Sequence, residues 1–127
     1  MKAYIDADIL IWHLRGEKKA FQFLKTLLDG DNNELWLGAM QRAEIVFFMR
    51  PEEVRATMLL LSHFRTAPVD EGIVDSAAQM FLRWHPSHGV DVNDAILAAT
   101  AMKTGGKIFC LNRKHYPMHD IPVDKAW

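Results

Sequence analysis

The chain has a single cysteine in 127 residues, no apolar run long enough to span a bilayer, no low-complexity tract and no excess of either charge. Each absence excludes something. The lone Cys110, set in Lys107-Ile-Phe-Cys-Leu, leaves no disulfide framework within one chain and suits a reducing compartment, so a cytoplasmic protein is expected. A membrane span needs about 20 consecutive apolar residues, and Asp6 and Asp8 interrupt the N-terminal region before a signal-peptide core could form. Neither export nor membrane anchoring is expected. With 15 basic and 16 acidic residues the net charge is −1, which argues against a surface that binds nucleic acid as a whole, because such domains carry a clear basic excess. A local basic rim around an acidic, cation-neutralised pocket remains compatible with that balance.

What is present reads as one folded domain over residues 1–127. Hydrophobic residues make up 50% and charged residues 24%, the balance of a globular protein, and a chain of this length buries roughly two thirds of the surface its unfolded form exposes. Strands and helices alternate. Ala3-Tyr-Ile is a short strand, followed by a helix from Ile9 to Leu14 that Gly16 ends. Phe21, Leu24, Leu27 and Leu28 repeat at helical spacing over Lys18–Leu28, and Asp29-Gly-Asp-Asn-Asn is a turn cluster. Leu35-Trp-Leu is a second strand. Gln41 to Met49 suits a helix packed on both sides, and Pro51 starts another that runs over Glu52–Phe64. Thr66-Ala-Pro-Val reads as an edge strand, since Pro68 lacks a donor. Glu71–Trp84 is a further amphipathic helix, after which His85-Pro-Ser-His-Gly reads as irregular. Asp91 and Asp94 are spaced as cap and third residue of a helix closed by Gly105-Gly106. Lys107–Leu111 is a buried strand and Ile121-Pro-Val a short last one. This pattern predicts an α/β fold, a mostly parallel central sheet of four to five short strands with helices on both faces, where ligands sit at the carboxyl ends of the strands. Asp6 and Asn112 fall at such ends.

Three carboxylates then stand out. Asp6 follows an apolar strand, Glu44 precedes Ile45-Val-Phe-Phe, and Asp94 opens a helix rich in alanine, and none has a cation beside it in sequence. Acids at the edge of a core are costly unless paired or metal-bound. A shared magnesium ion would explain all three, since that ion prefers oxygen ligands and keeps several waters. The set points to phosphodiester hydrolysis, in which the ion activates a water for in-line attack on phosphorus and a neighbouring carboxylate takes its proton.

Four segments carry a family resemblance. Asp6-Ala-Asp-Ile-Leu-Ile-Trp-His-Leu-Arg-Gly resembles the opening of PIN domains of the VapC toxin type, which begin Asp-Thr-Asn/Ser-Val-Leu-Ile. Ala43-Glu-Ile resembles the family's Ala-Glu-Leu helix, and Asn93-Asp-Ala-Ile-Leu-Ala-Ala-Thr-Ala its Asp-Ala-Leu-Ile-Ala-Ala-Thr-Ala helix. Cys110-Leu-Asn-Arg-Lys-His-Tyr-Pro lies over its Thr-X-Asn/Asp-X-X-His-Phe segment. The four run in family order across nearly the whole chain. The resemblance implies a PIN-like three-layer fold and an endoribonuclease acting with magnesium or manganese. It further implies the toxin of a type II toxin-antitoxin pair, a homodimer held inactive by a small antitoxin protein. By matching positions it carries over Asp6, Glu44 and Asp94 as metal-binding acids and Asn112 as the fourth position. Cys110, Gly38 and Gln41 depart from the Thr, Ser and Thr common at or near those places, and Asp8 replaces a neutral polar residue, bringing a carboxylate the site could also use.

Plainer readings compete at several positions. Asp91 reads first as a helix cap and only then as a further ligand, while for Asp8 ligand and first-turn acid stand level. His85-X-X-His88 and His115-X-X-X-His119 resemble zinc spacings, but Pro86 and Pro117 interrupt the helices that would align each pair. Arg15, Arg42, Arg113 and Lys114 are candidate phosphate contacts or ordinary solvated cations. Trp12, Trp36, Phe47, Phe48, Met58 and Leu59-Leu-Leu read as core or dimer face. Two other functions remain: a PIN-like protein that has lost catalysis and only binds antitoxin or RNA, and a haloacid-dehalogenase-like phosphatase, suggested by Asp6-Ala-Asp8.

Overall fold

Lys2-Ala-Tyr-Ile forms the middle strand of a sheet, and Ala3, Tyr4 and Ile5 are all buried because helices cover both faces. In the computed structural model, which describes residues 1–127, the strands are β1 (Lys2–Ile5), β2 (Glu34–Gly38), β3 (Arg65–Ala67), β4 (Lys107–Cys110) and β5 (Val123–Lys125). The helices are α1 (Ala7–Leu14), α2 (Lys18–Asp29), α3 (Ala39–Val46), α4 (Val54–Leu61), α5 (Glu71–His88) and α6 (Val92–Thr104). The sheet order is β3-β2-β1-β4-β5 and every pairing is parallel. The expected three-layer α/β architecture is therefore present, with five strands.

The period-two alternation of side chains divides the core between the two faces. Tyr4, Ile108 and Cys110 join Ala77, Leu97 and Ala98 under α5 and α6. Ala3, Ile5, Leu37 and Phe109 join Ile9, Leu24, Ile45 and Leu61 on the opposite face. At Gly105 the chain takes φ +79°, a left-handed helix cap, and the next residue, Gly106, lies so close over the Tyr4 ring that no Cβ would fit.

Chain order reverses at the centre of the sheet. From β1 the chain moves outward to β2 and β3, then returns through α5 and α6 to β4 on the other side of β1. The carboxyl ends of β1 and β4 thus form the crevice that open parallel sheets offer to ligands. No helix is long and apolar enough to cross a membrane.

Four expectations are corrected. Helix α3 stops at Val46 rather than Met49, because Arg50 must be extended ahead of Pro51, and Phe47 and Phe48 are 80% and 81% exposed instead of enclosing Glu44. A short 3₁₀ turn over Pro51–Glu53 precedes α4, which ends at Leu61. Helix α5 runs through Pro86 to His88: the proline deletes one donor near a helix end that Gly89 closes anyway, at φ +66° with its N–H donating to the His85 carbonyl at 3.0 Å. The last strand is displaced to Val123–Lys125 because Pro122 has no N–H; its carbonyl still accepts from Ile108 at 3.0 Å.

Candidate active site

Each principal acid is fixed by its own element. Asp6 ends the β1 ladder, its N–H donating to the Phe109 carbonyl at 3.0 Å, and caps α1 by accepting from the Ala7 N–H at 2.7 Å. Asp94 is the third residue of α6 in a reciprocal capping box: its N–H donates to Asp91 Oδ1 at 2.7 Å, and the Asp91 N–H donates to Asp94 Oδ2 at 3.3 Å. Glu44, half-buried on α3, accepts from the Asn93 side-chain amide at 2.6 Å. Asn93 and Asp94 are adjacent at the start of α6, so one helix terminus ties the other two acid-bearing elements together.

The residue that joins Asp6 to Asp94 is Tyr116, buried at 4% exposure. Its hydroxyl lies 2.8 Å from Asp6 Oδ2 and 3.3 Å from Asp94 Oδ1. A phenol has one proton to give. The shorter contact is its donation to Asp6, and the longer one becomes a hydrogen bond when Asp94 is protonated and donates to the phenol oxygen.

The electrostatics agree with that arrangement. Burial, then the charges of Asp91 and Asp6, push the Asp94 carboxyl up to about 7. Burial likewise raises Asp6, against the lowering effect of the Tyr116 hydrogen bond, and raises Glu44 against that of Asn93. Tyr116 is driven well above its ordinary value by burial and by both aspartates, so it stays a donor. The Cys110 thiol is pushed up to about 12, first by burial and then by Asp6, and remains protonated. No lysine or arginine forms an ion pair with Asp6, Glu44 or Asp94; His115 Nδ1, 3.8 Å from Asp94 Oδ2, is the nearest basic group.

The other candidates are distributed around this centre. Asp8 is exposed on the first turn of α1, where its charge acts on Asp6 and Glu44. Asp91 is the cap of α6. Asn112 is exposed and turned onto its own segment, its Oδ1 accepting from the Lys114 N–H at 3.1 Å and its Nδ2 3.5 Å from His115 Nε2. Arg15 lines a small cavity with Glu44, whereas Arg42 donates to Thr66 at 3.3 Å toward β3. Arg113 and Lys114 lie beyond Tyr116 in a separate groove. His85 and His88 do share one helix, since Pro86 does not interrupt it, yet no three His, Cys, Asp or Glu side chains gather closely enough to hold a metal as they stand.

Two side chains that connect the acids carry no mark of that role in the sequence. Tyr116 stands where the related pattern has Phe, so its hydroxyl was visible as a departure, but nothing local ties it to an acid 110 positions away. Asn93 precedes Asp94 in the quoted motif without any sign that it reaches Glu44. Gln41 and Gly38, taken from sequence as two departures, are physically one. Gln41 is buried with Nε2 donating to the Asn93 carbonyl at 3.4 Å, and a Cβ at residue 38 would collide with its Oε1. Glycine at 38 makes the room that glutamine at 41 occupies.

The family model of the PIN domain matches residues 3–118. The chain belongs to the PIN domain family. Among similar proteins are Ribonuclease VapC10 of Mycobacterium tuberculosis, 33% identical over 117 residues covering 91% of this chain and 86% of that one, and Ribonuclease VapC19 of the same organism, 30% identical over 115 residues covering 90% and 91%. The fold is shared with a toxin-antitoxin complex from Klebsiella pneumoniae, TM-score 0.80 at 20% identity over 98% of each chain. It is shared equally with VapBC2 from Rickettsia felis bound to a DNA fragment from their promoter, TM-score 0.79 at 14% identity over 98% of each chain. Membership in this family, with Asp8 exposed on a helix turn, sets the phosphatase alternative aside.

In this PIN domain the donor set has the chemistry a hard divalent cation needs. Three carboxylates on three elements are destabilised as anions by burial and mutual repulsion, and no lysine or arginine pairs with them. Oxygen ligands of that kind suit magnesium or manganese, which take carboxylates together with several waters. The Tyr116 hydroxyl lies within hydrogen-bonding reach of two of the three.

Proposed function

We propose that this chain is a divalent-metal-dependent endoribonuclease and the toxin of a type II toxin-antitoxin pair, acting in the cytoplasm. One observation carries the reading: Asp6, Asp94 and Glu44 lie around the crevice where chain order reverses, all with raised proton affinity and none paired with a lysine or arginine. Asp6, Glu44 and Asp94 would hold magnesium, or manganese in its place, with Asp8 and Asp91 adding negative charge from the rim. When bound, the ion would activate water and stabilise the leaving oxygen of the phosphodiester. The chain's own groups do the rest. Asn93 orients Glu44, the capping box orients Asp94, and Tyr116 keeps Asp6 and Asp94 from moving apart. Asn112, the fourth position, and His115 lie on the rim where the scissile phosphate would enter, and Arg113 and Lys114 supply positive charge just beyond.

The partners follow the same reading: an RNA substrate, a small antitoxin protein laid across the acidic crevice, and a second copy of the chain. An apolar cleft of about 270 Å³ between α5 and α6, flanked by Val74, Leu82 and Val92 at 47%, 74% and 57% exposure, supports self-association.

The test is incubation of structured and single-stranded RNAs with the purified protein in magnesium, manganese or EDTA, alongside Asp6→Asn. Cutting that needs the ion and is lost in the variant is expected. A second reading, binding without catalysis, rests only on Asn112, whose side chain accepts from the Lys114 N–H and lies 3.5 Å from His115 Nε2, and the similarity to ribonucleases counts against it. No cutting of any RNA under either ion would select it.

A further inference from the structure

One histidine of each sequence pair, His88 and His119, meets the other around a single tryptophan. Trp84, half-buried on α5, has the Arg83 guanidinium 4.7 Å over its ring, His88 5.3 Å away at 88° and His119 6.2 Å away at 81°. Both imidazoles stand edge-on, so no aromatic ring lies flat on the indole. Trp84, Met118 and His119 line two adjoining cavities, of about 790 Å³ and about 460 Å³. The larger also takes in Arg113, Lys114 and the ring of Tyr116, whose hydroxyl contacts Asp6 and Asp94. From the other direction, only Gly89 and Val90 separate His88 from Asp91 and the start of α6.

We infer that this groove is a subsite for single-stranded RNA, in which an unpaired base stacks on Trp84 while Arg83, Arg113 and Lys114 take the flanking phosphates on the way to the acidic crevice. The assignment deepens the ribonuclease reading above and rests on it for the identity of the nucleic acid. Charge complementarity supports RNA over a protein partner. Arg83, Arg113 and Lys114 are exposed and none is used in an ion pair, whereas the lining of the two cavities contains one acid, Asp120, in the smaller of them. In a chain of net charge −1, three free cations beside an aromatic face are a local feature rather than a general one. Stacking on an exposed aromatic side chain flanked by phosphate-binding cations is how proteins hold unpaired nucleotides without reading their sequence, and a base within a duplex cannot use it. Arg83 is held only by the ring it covers, so it can yield that face to a base and turn to a phosphate.

The experiment measures binding in EDTA, where no cutting occurs, by fluorescence anisotropy of a labelled 12-nucleotide mixed-sequence RNA, single-stranded or annealed to its complement. Trp84→Leu is expected to weaken single-strand binding by about tenfold, as loss of one stacked base does, and to leave duplex binding unchanged. Trp84→Phe should stay near the parent. Arg113→Ala should weaken both and flatten the salt dependence. Photocrosslinking of the unmodified protein to the same RNA carrying 5-iodouridine keeps the test independent of how the variants fold; crosslinks to the peptide containing Trp84 or His119 support the subsite. Unaltered affinity in folded Trp84→Leu, crosslinks confined elsewhere, or no RNA binding by the parent would each overturn it, as would a Trp84→Leu protein that loses self-association but keeps its affinity for RNA. Binding is read apart from cleavage, so a parent that binds here without cutting would sink the nuclease and leave the subsite standing.

Discussion

Asp70 and Asp6 do the same local job and live in opposite electrostatic worlds. Each caps a helix, Asp70 by accepting from the Ile73 N–H at 2.9 Å and Asp6 from the Ala7 N–H at 2.7 Å. Asp70 sits in solvent with Lys103 Nζ 2.5 Å away, and that contact lowers its carboxyl below the ordinary range. Asp6 is enclosed beside Tyr116, has Asp8 and Asp91 for electrostatic neighbours, and is raised. A capping signature is therefore silent about function. What distinguishes Asp6 from Asp70 is the missing counter-charge, which the fold supplies at one cap and withholds at the other. Asp91 and Asp94 repeat the lesson, since an ordinary capping box becomes unusual only because its acids face Asp6 rather than a lysine.

The sharpest way to break the comparison is to remove the buried charges. Asp6→Asn or Asp94→Asn should reduce metal-dependent cleavage by more than about a hundredfold, the upper range for disturbing groups that merely support metal ligands. In EDTA at pH 8 both variants should melt above the parent, because a buried uncompensated anion has been replaced by a neutral amide. Magnesium should stabilise the parent, by about 2.7 kcal/mol at a hundredfold excess over Kd, and leave the variants unmoved. A parent whose melting ignores magnesium, or a variant that cuts as well as the parent, would show that these acids are not the site.

The next effect is the pH dependence of the metal-free protein. Asp94 titrates near 7 when folded and near its ordinary 3.8 when unfolded, so between those values the folded state holds more protons. Stability then falls as pH rises through that interval and levels off above it. Asp6 and Glu44 act in the same direction. Urea unfolding in EDTA should accordingly give a higher midpoint at pH 5 than at pH 8, with magnesium restoring much of the difference. A midpoint that climbs from pH 5 to pH 8 would mean the acids are already compensated.

How far this was legible in sequence differs between fold and site. Lys2–Ile5 and Lys107–Cys110 announce themselves as buried strands by short apolar runs bounded by polar residues, and Asp91-X-X-Asp94 announces its helix, because those signals are local. For Phe47 and Phe48 the sequence leaves core and dimer face both open, and exposure removes the first: an apolar pair after a helix is ordinary core material unless the chain must turn away before Pro51, as it does here. The passage of α5 through Pro86 was not legible, since tolerance there depends on how near the helix end already lies. The three acids could be picked out by type and resemblance. Their connections could not, since Asn93 to Glu44 spans 49 positions and Tyr116 to Asp6 spans 110.

Tyr116 offers a finer cut. Tyr116→Phe keeps the ring and removes the one donor between Asp6 and Asp94, and a hydrogen bond to a charged group contributes about 1.5–3 kcal/mol. The metal-free protein should lose stability of that order, and magnesium should restore more in the variant than in the parent, because the ion would then supply the only link between the two acids. Denaturant midpoints with and without the ion measure this directly. Equal gains from magnesium in both proteins would mean that the phenol does not govern how far apart the acids stand.

The smallest effect tests the other cap. Asn caps helices about as well as Asp, so Asp70→Asn keeps the bond to Ile73 and loses only a solvent-exposed ion pair with Lys103, which salt and water already screen. Cleavage should be unchanged. The melting shift should be slight and opposite in sign to that of Asp6→Asn in EDTA, since one substitution removes an attraction and the other a repulsion. The same chemical change at two helix caps would then move stability in two directions, and that divergence, measured in one buffer, isolates the fold's withheld counter-charge from everything capping itself contributes.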